Sequence, residues 1–141
     1  MAIAISRRNI SQNGHAKKNP LKPATMPLGR FLFQYLYDRG VRHSFGVPGD
    51  FALSTYEWLD RSPIQSITMT HEPGAGFAAD AYSRINGIGL VTVTYCVGGL
   101  NTLNAIAGAY AEKSPVVVVS GAPGRADRER DPLVQSQGEN F

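Results

Sequence analysis

The strongest constraint in this sequence is an alternation: four short apolar runs, each separated from the next by a stretch with helical spacing. Leu28, Phe31, Leu32, Tyr35 and Leu36 fall on one helical face, and Gly40 stands where a left-handed residue would close that helix. Val41 to Val47 then reads as a strand ending in the turn Pro48-Gly49-Asp50, with a second helix expected over Phe51 to Leu59. Ile64 to Thr70 is the second strand, followed by a helix over Glu72 to Ile85 rich in Gly and Ala. Leu90 to Tyr95 is β-branched and apolar, the pattern of a buried strand, and a helix is expected over Asn101 to Glu112. Val116 to Ser120 places four valines in succession and is the clearest strand of the set. Alternation of this kind predicts an α/β fold, a parallel sheet flanked by helices.

Parallel open sheets bind their ligands beyond the carboxyl ends of the strands. Those ends are Val47-Pro48-Gly49-Asp50, Thr70-His71-Glu72, Tyr95-Cys96-Val97-Gly98-Gly99 and Ser120-Gly121-Ala122-Pro123-Gly124. Three are glycine-rich and two carry a carboxylate, so the chemistry is expected there. Glu72 also has a purely structural explanation, since an acid in a first helical turn complements the helix dipole by ~0.3–1 kcal/mol. Asp50 could equally be an N-cap. His71 could be a base, although a histidine at a strand end is more often a hydrogen-bonded structural group. Cys96 has no obvious basic neighbour and reads as a small buried residue.

Gly74-Ala75-Gly76-Phe77-Ala78-Ala79 matches the dinucleotide fingerprint, which keeps a nicotinamide-binding domain open as an alternative. The fingerprint also wants an acid at the end of the next strand, and that strand ends in Tyr95-Cys96. Close helix packing is the competing explanation of these small residues.

Charge narrows the partners. Arg7, Arg8, Lys17, Lys18, Lys22 and Arg30 lie in the first 30 residues, which hold no acid; the rest of the chain carries eight basic residues against 11 acidic ones. Residues 1–25 are therefore expected to be a disordered basic leader and residues 26–141 a mildly acidic domain, which offers no basic patch for nucleic acid. No segment approaches the ~20 apolar residues that span a bilayer. Cys96 is the single cysteine, so no intramolecular disulfide can form, which fits a cytoplasmic setting.

The segments FGVPGDF (45–51), HEPGAGFAADAYSR (71–84) and VTVTYCVGGLNTLNAIAGAYAEKSPVVVVSGAPG (91–124) occur together and in order. Over about residues 26–137 the chain resembles the amino-terminal pyrimidine-binding domain of thiamine-diphosphate-dependent 2-oxo acid decarboxylases, the pyruvate, indolepyruvate and phenylpyruvate decarboxylases being nearest. The resemblance implies that Glu72 hydrogen-bonds a ring nitrogen of the cofactor's aminopyrimidine, favouring the tautomer that takes the proton from the thiazolium carbon. For that role the carboxyl should lie dry beneath the sheet's carboxyl edge. The resemblance further implies that Asp50 handles protons on the substrate side, that Pro48 and Gly49 line the cofactor, and that the Cys96, Val97, Gly98 and Gly99 bend brings backbone to the pyrimidine. Cys96 stands where relatives often have Gly.

Two departures from the family pattern bear on activity. The decarboxylases carry a His-His pair where this chain has Gln135 and Ser136, neither of which titrates between pH 5 and 8. The Gly-Asp-Gly motif and downstream Asn that hold magnesium and diphosphate in a separate family domain do not occur here. After Gly124 the pattern dissolves without a closing strand, so the sheet is expected to be incomplete at its carboxyl end. The chain is then a truncated product, or a split subunit or non-catalytic remnant that pairs with a diphosphate-domain chain or homo-oligomerises. A 2-oxo acid is the expected substrate once it is complemented.

Overall fold

The computed structural model describes residues 25–129; the leader before them and the segment holding Gln135 and Ser136 lie outside the described residues. Helix α1 (Leu28–Asp38) buries Phe33 and Leu36. It ends at Gly40 with φ 97°, where the Gly40 and Val41 amides donate to the Tyr37 and Leu36 carbonyls. That is the paired-bond stop expected of a left-handed glycine. Because the Val41 amide serves this cap, strand β1 starts later than the apolar run suggests, at His43–Val47. A 3-10 turn (Asp50–Ala52) leads into α2 (Leu53–Asp60), followed by β2 (Gln65–Thr68) and α3 (Glu72–Asn86). Strand β3 (Gly89–Val93), α4 (Val97–Asn101), α5 (Leu103–Ala111), β4 (Val116–Ser120) and α6 (Arg125–Arg128) complete the described chain.

The four strands form one sheet in the order β2-β1-β3-β4, every neighbour parallel. Val47, Val93 and Ser120 stand side by side, so the carboxyl ends of β1, β3 and β4 share one edge. The chain winds outward in opposite directions from β1, making the crevice between β1 and β3 a topological switch point. The fully buried strand is β3, as its composition predicts, whereas the valine run of β4 lies at the sheet edge and is only partly covered.

Helices α1 and α2 cover one face through Phe33, Leu36, Tyr56 and Leu59, packed with Leu90, Val117 and Val119. Ala75 and Ala79 of α3 pack the other face with Val91, Val93, Phe45 and Ile106. Here the small residues have a visible reason. A β-carbon on Gly76 would lie 2.5 Å from that of Ala105 in α5, and one on Gly89 would collide with the Ala79 carbonyl. These contacts let α3 approach both α5 and the sheet, so close packing accounts for Gly76 without a bound dinucleotide.

Inside the sheet, the Tyr56 hydroxyl donates to the Thr92 carbonyl at 2.7 Å, and the Ser44 and Thr92 hydroxyls are hydrogen-bonded at 2.8 Å. Burial, aided by the nearby Asp60 carboxylate, pushes the Tyr56 hydroxyl up to about 12. A raised folded-state value makes the protonated phenol stabilising, so this contribution is complete below pH ~10 and is lost as pH rises toward ~12. Urea unfolding across that window should show falling stability in the wild type and a flatter profile in Tyr56→Phe. On the opposite face, Gly76→Ala is expected to lower stability by about 1–3 kcal/mol despite alanine's better helix propensity, because neither β-carbon can rotate away. The same urea titration measures it.

Candidate functional site

The loops after β1 and β3 meet at the switch point. Gly49 faces Thr94, where an added β-carbon would sit 3.3 Å from the threonine β-carbon. The Phe51 and Tyr95 rings lie 5.3 Å apart, tying the two loops together one residue further on. Asp50 is exposed and opens the 3-10 turn; the cap positions of that turn and of α2 are Gly49 and Ala52, so Asp50 does not act as an N-cap. Pro48 beside it is also exposed.

Cys96 governs the path of the second loop. It has φ 58° and ψ −102°, a left-handed conformation natural to glycine and costly for a residue with a β-carbon, by ~1–3 kcal/mol. This reversal lets the Gly99 amide bond back to the Thr94 carbonyl at 3.0 Å. The Cys96 side chain itself is buried. The residues after it were expected to form a bend leading to one helix from Asn101 to Glu112. Instead, a short helix, α4, already begins at Val97, and Thr102 alone separates it from α5. Thr102 donates its hydroxyl to the Gly99 carbonyl at 2.7 Å, a local side-chain bond of the kind that bends helices. Gly98 and Gly99 masked the helix because their intrinsic propensity is poor.

Glu72 opens α3 after an extended His71. Because α3 packs on β1 and β3, its first residue is carried from the end of β2 to the switch point. A β-carbon on Gly98 would lie 3.6 Å from Glu72 Oε1 and 2.9 Å from Thr94 Cγ2. Glycine is thus required at 98 for the glutamate, Thr94 and the α4 turn to converge. Asn101 Nδ2 donates to Glu72 Oε2 at 2.8 Å and lies 3.0 Å from His71 Nε2. The expectation of a dry carboxyl is corrected: Glu72 is half-buried, because it stands in the first turn of α3, where the described residues cover it only in part.

Gly49 and Gly98 both lie against Thr94, Gly98 also lies against Glu72, and Cys96 and Gly99 shape the same turn, while Val97 is 70% exposed at its rim. Reasoning from sequence missed two residues. Thr94 Oγ1 is buried with no hydrogen-bond partner among the described residues, and Asn101 was read only as a helix start. A threonine at a strand end just before a glycine turn was the available signal for the first; the second had none.

A parallel α/β domain with a carboxylate and two glycine turns at its switch point defines a cofactor-binding class of protein. Residues 26–139 match the family of thiamine pyrophosphate enzymes, over its N-terminal TPP binding domain, and the chain belongs to that family. It is 48% identical over 115 residues to an indole-3-pyruvate decarboxylase of Azospirillum brasilense, covering 80% of this chain and 21% of that protein. It is 47% identical over 110 residues to a pyruvate decarboxylase of Aspergillus parasiticus, covering 78% and 19%. A pyruvate decarboxylase 1 of Pisum sativum is 44% identical over 111 residues, covering 77% and 19%. The chain thus spans about a fifth of the length of the curated relatives it matches.

The residues present fit the pyrimidine part of that cofactor. Gly49 and Gly98 let the two turns close tightly on Thr94, Val93 and Glu72, which leaves bare backbone for a flat heterocycle to approach. The heterocycle also needs polar partners in an otherwise closed corner, and the unpartnered Thr94 hydroxyl and Glu72 Oε1 are such groups. Among the described residues no group of three or more His, Cys, Asp or Glu could hold a metal ion, and no helix is long and apolar enough to cross a membrane.

The strain at Cys96 generates a test. Replacing it with Gly relieves the backbone but removes a buried side chain, so stability should change by less than about 1 kcal/mol. Cys96→Val asks a β-branched residue to hold φ 58° and should lose ~2 kcal/mol or more. Thermal and urea unfolding of both variants would check the contrast.

Proposed function

We propose that this chain supplies the pyrimidine half of a thiamine-diphosphate site in a 2-oxo acid decarboxylase, with Glu72 meeting the cofactor's aminopyrimidine. One observation carries the reading: the Glu72 carboxyl stands against Gly98, in the corner that also holds the unpartnered Thr94 hydroxyl. The Oε1 atom is the proton-holding atom offered to a ring nitrogen. The ring would rest on the backbone of the Gly49 and Gly98 turns, with Pro48, Cys96, Val97 and Gly99 forming the rim. When bound, the cofactor supplies the electron sink that makes loss of carbon dioxide from a 2-oxo acid feasible. Asp50, exposed just after β1, would exchange protons on the substrate side.

Half of this site comes from elsewhere. The relatives are about five times longer than their matched segments, and the described residues cover Glu72 only in part. Magnesium and the diphosphate are therefore assigned to a further domain, in a longer form of the protein, in a second chain, or in a partner subunit of an oligomer. Closure by that surface would shelter the carboxyl and strengthen its hydrogen bonds. The substrate class follows the names of the relatives, indole-3-pyruvate and pyruvate decarboxylases.

The test is complementation. The purified chain is mixed with the remaining part of the Azospirillum enzyme, thiamine diphosphate and magnesium, and carbon dioxide release from pyruvate and indole-3-pyruvate is followed. Glu72→Gln is expected to lower kcat by ~100-fold or more, as loss of a proton-transferring group does. Turnover at the wild-type rate in that variant would remove the proposal.

A further inference from the structure

The contacts of Asn101 determine more than they first suggest. Its side chain closes α4 at the surface, with Nδ2 2.8 Å from Glu72 Oε2 and 3.0 Å from His71 Nε2. An amide NH2 has two hydrogens to give and accepts nothing. Glu72 takes one of them, so the contact with His71 must also be donated by Asn101. His71 Nε2 is then the bare nitrogen, and the neutral ring carries its proton on Nδ1. Two residues from the start of α3 are thus held by one residue from α4, across 29 and 30 positions of sequence.

We propose that Asn101 is a positioning residue for the Glu72 carboxyl, with His71 as its second anchor. The proposal rests on the reading of Glu72 given above. With Oε2 tied to the amide, the carboxyl cannot spin, and Oε1 stays turned toward Gly98. Misplacement of a reacting atom by about 1 Å can cost ~100-fold in rate, so this restraint matters to any proton transfer at Oε1. The neutrality of the amide also matters. A lysine or arginine here would orient the carboxyl but set a full positive charge beside it, whereas an amide orients it without one. The two contacts together stop the amide from turning over, because flipping would set its oxygen against both the Glu72 carboxyl and the bare His71 Nε2.

Two measurements test the proposal. In the 141-residue chain labelled with 15N, the His71 ring is expected in the Nδ1–H form, with Nε2 unprotonated. In Asn101→Ala, that preference should disappear while the circular dichroism spectrum is unchanged, since Asn101 is exposed. In the complemented complex, deuterium exchange at the cofactor's thiazolium carbon should slow about tenfold in Asn101→Ala and by more in Asn101→Asp, which keeps the shape but cannot donate. KM for the 2-oxo acid should stay within about twofold, as befits a residue that touches no substrate. A wild-type His71 ring protonated at Nε2 would overturn the proposal, as would wild-type exchange in Asn101→Ala alongside slowed exchange in Glu72→Gln. Wild-type exchange in Glu72→Gln would instead overturn the reading on which it rests.

Discussion

The close approach of α3 to α5 and to the sheet is the contact on which the rest of this structure depends. It exists because Gly76 has no β-carbon to meet Ala105, and because Gly89 lets the Ala79 carbonyl come down onto β3. A bulkier pair would lift the helix by roughly the width of a methyl group, and Glu72 would rise with it. The carboxyl would then miss Gly98, and Asn101 would no longer reach it. The small-residue helix is thus both the core of one layer and the arm that sets the acid in place.

Strand order supplies the other half of the geometry. Because β1 and β3 are neighbours while β2 lies outside β1, the chain leaves β1 and β3 in opposite directions, which makes their shared carboxyl edge the switch point. Glu72 belongs to neither loop. It arrives from β2 because α3 lies back across β1 and β3. The turns holding Gly49 and Gly98 pack against Thr94, whose hydroxyl has no partner among the described residues. A buried hydroxyl without a hydrogen bond costs ~1–3 kcal/mol, as does the left-handed backbone at Cys96. Both sit in one turn, and such local costs cluster where a ligand is later accommodated. Val97, at the rim of the Gly98 turn, is 70% exposed.

Much of this was legible in the sequence. Short runs between the helical stretches marked all four strands, and their alternation with helical spacing implied the parallel sheet. The glycine at 40 marked a helix end because a left-handed stop has few other solutions. Glu72 and the glycine turns were identifiable as strand-end groups, and the ordered motifs linked them to a cofactor. Strand limits were less legible: the Val41 amide is taken by the α1 cap and β2 stops at Thr68, neither of which hydrophobicity reveals. The break at Thr102 escaped because a threonine within an apolar helical pattern does not announce where its hydroxyl turns. Asn101 escaped because its partners lie 29 and 30 residues away, beyond any local pattern.

The account stands on the aminopyrimidine seating itself against Gly98, within reach of Glu72 and Thr94. The direct test is to titrate the 15N-labelled chain with thiamine diphosphate and map the amide shifts. The largest changes should fall on Gly49, Glu72, Thr94, Gly98 and Gly99. The chain also has a cleft near the start of β2, lined by Arg30, Gln34, Trp58, Arg61, Ser62 and Pro63, which could attract a diphosphate through its two arginines. Largest shifts at that cleft, with the Gly98 turn silent, would contradict the account.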